Sequence, residues 1–141
     1  MSRKEHLGKY DSNVGYALYV IDNIKKDDYA RLNTGQIVKV KGIKENECNK
    51  KAIYYYPGVY NDDWFDSSAV ENFSPNIIDL IEVGDYVNGW KVRGKTSEKV
   101  VVDYYMYSEQ LGEGQWLTFY KDNIKSIVTH ESFNSIKYEV I

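Results

Sequence analysis

From residue 31 onward the chain runs in short apolar stretches, each closed by a turn residue within about ten positions. None of these stretches is long enough for a core helix, and their spacing is that of strands joined by tight turns. Asn88-Gly89 is the sharpest of the turn marks. It lies between Tyr86-Val87 and Trp90-Lys91-Val92, and both residues tolerate the positive φ that a two-residue type I′ hairpin demands. Gly112-Glu113-Gly114 marks another hairpin, and Pro57-Gly58 a turn. The spacing predicts strands at 37–42, 52–56, 77–82, 86–87, 90–93, 100–107, 116–120, 124–129 and 136–141, with a capped helical turn near 129–133. Fourteen tyrosines and only two prolines fit the same class, because tyrosine suits a half-buried pleated surface.

Ahead of the strands, Val14, Ala17, Leu18, Ile21 and Ile24 fall at helical spacing, with Ser12 or Asn13 as the cap. The segment also holds β-formers (YALYVI); we read it as a short helix. Residues 1–12 are polar and read as a loose tail carrying His6. At 141 residues and 43% hydrophobic, the chain can bury one core or two very small ones. The expected fold is mostly β (β-rich α+β), with one or two small SH3-like antiparallel barrels and a short N-terminal helix. We divide it into an extension at 1–30, a first β-unit at 31–82 and a second at 83–141.

An internal repeat underlies that division. Residues 33–42 (NTGQIVKVKG) resemble 83–92 (VGDYVNGWKV). Each copy continues with an aromatic strand (AIYYY, VVVDYYMY), a tryptophan (Trp64, Trp116) and an Asn-led apolar run (76–81, 123–128).

The net charge of −3 hides a division. Residues 1–51 carry eleven Lys and Arg against seven Asp and Glu, while residues 52–90 carry seven acids and no Lys or Arg. Residues 91–141 balance at seven of each. The acidic stretch begins with residues 54–66, YYYPGVYNDDWFD, which hold six aromatic rings and three carboxylates. Exposed carboxylates along a β-surface can imitate a phosphate backbone and attract a basic partner with fast, salt-sensitive association. Aromatic rings supply the anchors of such an interface. We therefore expect partner binding by Tyr60, Asp62, Asp63, Trp64, Phe65, Asp66 and Glu71. The competing reading is a strand whose tyrosines pack inward and a loop kept soluble by its acids.

Catalytic signatures are missing. His6 and His130 flank no triad-like set, and no phosphate loop, GxSxG or HExxH is present. Asp62-Asp63-x-x-Asp66 lacks the alternating spacing and closing glutamate of a calcium loop, so we expect neither metal nor cofactor. Cys48, the one cysteine, rules out an internal disulfide and reads as a loop residue within KENECNKK. Lys39, Lys41, Lys44, Lys50 and Lys51 form a modest basic edge that reads as a solvated strand and loop rather than a nucleic-acid groove. No apolar run approaches a membrane span, and MSRKEHLGKYDS lacks the apolar region of a secretory signal. Together these features lead us to expect a cytosolic, non-enzymatic protein.

Residues 76–92 (NIIDLIEVGDYVNGWKV) and 124–140 (IKSIVTHESFNSIKYEV) resemble a module of small phage and prophage proteins of low-GC Gram-positive bacteria. The resemblance covers roughly residues 74–141, and the part before about residue 50 does not share it. It implies a phage-encoded protein acting in the cytoplasm of an infected bacterium, and it supplies no catalytic residues. Among such proteins are inhibitors of host functions, including anti-CRISPR and other anti-defence proteins. The expected function is thus a phage inhibitor of a basic, nucleic-acid-handling host defence protein, with a CRISPR effector as the specific candidate. Beside it stand two other readings: a protein that sequesters a nucleotide signal in an aromatic-lined pocket, and a virion structural or assembly protein. Val14, Leu18 and Ile21 could also serve a homodimer.

Overall fold

In a computed structural model, which describes residues 2–7, 13–56 and 63–132, the chain divides into two compact units, Met1–Leu80 and Ile81–Ile141. The first contains helices α1 (Arg3–Leu7) and α2 (Asn13–Asn23) and strands β1 (Tyr29–Leu32), β2 (Ile37–Glu45), β3 (Lys51–Tyr56), β4 (Trp64–Phe65) and β5 (Val70–Ser74). The second contains β6 (Tyr86–Val87), β7 (Trp90–Lys95), β8 (Lys99–Ser108), β9 (Glu113–Tyr120) and β10 (Ile127–Val128). Both sheets are antiparallel and five-stranded, and neither closes on itself among the described residues.

The two sheets are wired alike. Their orders are β4-β3-β2-β1-β5 and β9-β8-β7-β6-β10, so in each the last strand pairs with the first. The likeness extends to single residues. In β2 one extra residue, Lys41, interrupts the pairing between Val40↔Tyr55 and Gly42↔Tyr54. In β7 Arg93 does the same between Val92↔Val102 and Gly94↔Val101. Such bulges bend a strand and sharpen its twist. Next, Ile53 pairs with Phe65, as Val100 does with Phe119. A single 3-10 turn follows each fourth strand, at Ser67–Ala69 and Lys121–Asn123. Finally Ala30 pairs with Phe73, as Val87 does with Ile127.

The entry to each sheet is also shared. Asp28 and Asp85 are buried, and each accepts a hydrogen bond from the backbone N–H three residues earlier, Lys25 at 2.9 Å and Glu82 at 2.8 Å. The residue before each aspartate has a positive φ, 72° at Asp27 and 97° at Gly84. Val40 and Val92 donate to the carbonyls of Asp28 and Asp85, both at 2.8 Å. A carboxylate folded back on its own turn fixes the approach to the first strand in both units.

What covers the sheets differs. In the first unit Tyr16 and Val20 of α2, with Ile24 just past its end, pack onto Ala30, Val38, Val40, Ile53, Val70 and Phe73. The helix is where the spacing put it, but its buried stripe is rotated from the expected one: Val14 is 71% and Leu18 60% exposed. Residues 2–7, read as part of a loose tail, are held in place instead. His6 is buried, with its ring 5.1 Å from that of Tyr16, and Arg3 donates to the carbonyls of Ser68 and, at 3.0 Å, Val70.

The strand expected at 77–82 is instead a 3-10 turn, Ile77–Leu80. Pro75 cannot donate to a ladder, Asn76 Oδ1 accepts from the Ile78 N–H at 3.2 Å, and Ser74 Oγ donates to Asp79 at 2.6 Å. The buried Arg31 donates to the Leu80 carbonyl at 2.9 Å and ties that turn to β1. Asn88-Gly89 forms the expected turn, with φ of 52° and 85°. The helical turn begins at His130 as expected, and Thr129 Oγ1 lies 3.1 Å from Ser132 Oγ. The Pro57-Gly58 turn and the strand at 136–141 lie outside the described residues.

Candidate functional site

The acidic aromatic segment occupies the connection between the third and fourth strands of the first unit. Tyr60 and Asp62 lie outside the described residues. Trp64 is 46% exposed on β4, an edge strand of the sheet, with the half-buried Asp63 beside it. Phe65 is not an anchor: alternation along β4 turns it inward, 8% exposed, with its ring 5.7 Å from Tyr55. Asp66 accepts from the Ser68 N–H at 2.9 Å and so caps the 3-10 turn. Glu71 pairs with Arg3 at 3.4 Å on β5, the opposite edge of the sheet from β4. The structure therefore groups Asp63, Trp64 and Asp66, sets Glu71 apart, and assigns Phe65 to the core.

The same connection in the second unit is the long β8–β9 hairpin, expected from Gly112-Glu113-Gly114 as a turn but not as a binding surface. It exposes Tyr104, Tyr105, Met106, Tyr107, Leu111 and Trp116. Asp103, Tyr105 and Tyr107 alternate onto one face, where Tyr105 is the cross-strand partner of Trp116 and its ring meets the indole edge-on at 5.0 Å. Arg93, the bulge residue, stacks its guanidinium on Trp116 at 3.7 Å and pairs with Asp103 at 3.1 Å. Gly114 sits against the Tyr105 ring, where a Cβ would collide with it. On the other face Trp90 packs on Tyr104 at 4.5 Å. A readable signal was present: residues 100–120 contain six aromatic rings and three carboxylates with no Lys or Arg, the same tally as residues 54–66. Accounting by thirds of the chain concealed it, because Lys91, Arg93, Lys95, Lys99, Lys121, Lys125 and Lys137 balance the total.

The lysines of the first unit are arranged over tyrosines. Lys44 lies over Tyr54 at 4.3 Å, Lys41 over Tyr56 at 5.7 Å and Lys39 over Tyr29 at 5.8 Å. Between Lys41, Ile43, Lys44 and Tyr54 is a hollow of about 170 Å³. That is smaller than the roughly 300 Å³ at which small-molecule sites begin.

Glu82, Asp85, His130 and Glu131 bring their ligand atoms within 4.8 Å of one another. Both oxygens of Asp85 already accept backbone N–H groups, from Glu82 at 2.8 Å and His130 at 2.9 Å. His130 Nε2 lies 3.3 Å from Glu82 and 3.3 Å from Glu131. Because Asp28 performs the same turn closure in the first unit, the common task of these aspartates is to fasten a turn. Cys48 is exposed in the β2–β3 turn, where Asn46 Oδ1 accepts from its N–H at 2.9 Å. Among the described residues, Tyr16 has a strongly displaced titration. Burial pushes its phenol far above the usual tyrosine range, partly offset by the Arg3 cation and reinforced by Glu71. Its hydroxyl donates to the Glu71 carbonyl at 3.3 Å, a structural duty.

No family model, curated protein or solved structure matches the chain.

Proposed function

We propose that the chain is a non-enzymatic binding protein that inhibits a basic, nucleic-acid-handling protein through its acidic aromatic hairpins. One observation carries this reading. Two units with the same wiring each place an aromatic stretch without lysine or arginine at the connection between the third and fourth strands. Carboxylates steer a basic partner and exposed rings anchor it. The resemblance to phage proteins makes a host defence protein the target, a CRISPR effector the specific candidate, and the infected cell's cytoplasm the place of action. The last-to-first strand pairing, the bulged second strand and the 3-10 turn before the fifth strand favour an SH3-like origin for both units.

The test is affinity capture of the tagged protein from a CRISPR-carrying host lysate at low and high salt, with identification of what binds. The discriminating variant combines Asp62→Lys, Asp63→Lys and Asp66→Asn, the last because asparagine keeps the cap while losing the charge. A basic nucleic-acid-binding complex held by the native protein at low salt, and lost both at high salt and in the folded variant, is the expected result. Undiminished capture by that variant refutes the reading. Nucleotide sequestration takes second place because the lysine-lined hollow is small. Thermal stabilisation by cyclic nucleotides, with no protein captured, would reverse that order.

A further inference from the structure

The β8–β9 hairpin of the second unit presents more apolar surface than solvation alone explains, and its chemistry selects an occupant. Three observations bear on what fits there. First, the hairpin is acidic: Asp103, Glu109 and Glu113 stand among residues 100–120 without a cation. Second, it already holds one guanidinium. The Arg93 guanidinium lies over the Trp116 ring, 3.7 Å from its centroid, with Asp103 at 3.1 Å, so ring and carboxylate on this face are spaced for arginine. Third, the tip of the hairpin carries an open hollow of about 260 Å³ among Met106, Tyr107, Ser108, Leu111, Glu113 and Gln115. Walls that mix apolar groups (Met106, Tyr107, Leu111) with Ser108, Gln115 and the Glu113 carboxylate suit a side chain that buries an aliphatic stem and keeps a cationic head near water.

We infer that this hairpin is a docking surface for an arginine-bearing basic segment of a protein partner. One arginine stem enters the tip hollow with its guanidinium at Glu113, and further cations lie over Tyr105 and Tyr107 as Arg93 lies over Trp116. The inference deepens the proposed function and rests on it for the partner's basic character, while placing the contact in the second unit. Tyr107, the most exposed ring of the hairpin at 62%, would be its principal contact.

The experiment titrates an arginine octapeptide and a lysine octapeptide into the full chain at physiological salt. Calorimetry reads the affinity, and tryptophan fluorescence reports the hairpin. The comparison is made with Tyr107→Ala and Glu113→Gln, neither of which removes a described core contact. The expected result is tighter binding of the arginine peptide, with about a fivefold loss in each variant. Equal affinity for the two peptides that neither variant changes would overturn the inference, because it would be general charge attraction. Absence of binding to the native protein, or a homodimer dissolved by Tyr107→Ala, would also overturn it. A basic partner captured from lysate by the Tyr107→Ala variant as well as by the native protein sinks this inference and leaves the proposed function standing. Peptide binding as expected, with no basic partner captured from lysate, upholds the surface and removes the proposed function.

Discussion

Residues 28–74 and 85–128 follow one wiring diagram, and what distinguishes them is the cover laid over it. In the first unit an eleven-residue helix seals the sheet, and Tyr16, Val20 and Ile24 close the core. In the second, the residue budget goes into strands: β8 and β9 run to ten and eight residues, against six and two for β3 and β4. Past Val102 the paired strands leave the core, and their side chains are exposed or half-exposed on both faces. Identical topology therefore yields one unit organised around a covered core and another organised around an exposed hairpin. The apolar area left open is where a partner gains most by burial.

The comparison can be tested at paired positions, beginning with the largest expected effect. Phe65 and Phe119 occupy equivalent places opposite Ile53 and Val100, but Phe65 is buried and Phe119 half-exposed. Phe65→Ala should cost about 3–4 kcal/mol, and Phe119→Ala about half of that. Urea midpoints of the two variants would check this, and equal losses would mean that the second unit's core is as tight as the first. The two turn aspartates come next. Asp85→Ala strands two backbone N–H groups, from Glu82 and His130, and should cost about 3 kcal/mol; Asp28→Ala, which strands the Lys25 N–H, should cost about 1.5 kcal/mol. Loss of amide-exchange protection in the mutated unit alone would confirm that each aspartate serves its own sheet.

Smaller effects follow at the residues just before them. Gly84 sits at a φ of 97° with no atom crowding its Cβ position closer than 3.9 Å, so Gly84→Ala should cost about 1 kcal/mol from backbone strain alone. Asp27→Gly, at the matching place, should shift thermal stability by less than about 0.5 kcal/mol, because relief of the left-handed backbone is offset by a freer unfolded chain. The smallest difference at neutral pH is expected for Tyr16→Phe. The folded phenol ionises only far above its ordinary value near 10.0. A raised folded pKa means that its contribution is intact below pH 10 and is lost as the pH climbs through and beyond that value. The native protein should therefore lose stability faster than Tyr16→Phe above pH 10 in alkaline urea titrations, and parallel curves would remove Tyr16 as the cause.

How much of this was legible depended on whether a local signal survived its surroundings. Asn88-Gly89, the tyrosine-rich strands and the likeness of the two halves were readable because turn chemistry and alternation act over a few residues. The register of the repeat was not. Asn76-Ile77 and Asn123-Ile124 look alike in sequence, yet the fold equates Val70–Ser74 with the stretch ending in Ile127–Val128. The better guide was Asp28-Tyr29-Ala30 against Asp85-Tyr86-Val87, whose aspartates close the same turn. Strand β5, VENFS, has no alternating pattern because it lies at an edge and takes its place from β1. Phe65 could not be placed from composition, which carries no direction: alternation along β4 turns Trp64 outward and Phe65 inward. His6 was misjudged because a five-residue helix in polar sequence has no periodicity to display, and its burial comes from Tyr16 and Tyr19 packing around it.

Pairing the last strand of each unit with its first also bears on how the chain is made. Neither sheet is complete until its fifth strand has left the ribosome, yet every strand of the first sheet is available by Ser74. At about 5–20 residues per second, the 61 residues from Ile81 to Ile141 take roughly 3–12 s to synthesise. Small β-domains fold in milliseconds to seconds, so the first sheet has time to form before its look-alike emerges. That delay separates the folding of two like-wired sheets, and a chain diluted from denaturant, with both halves present at once, must refold without it.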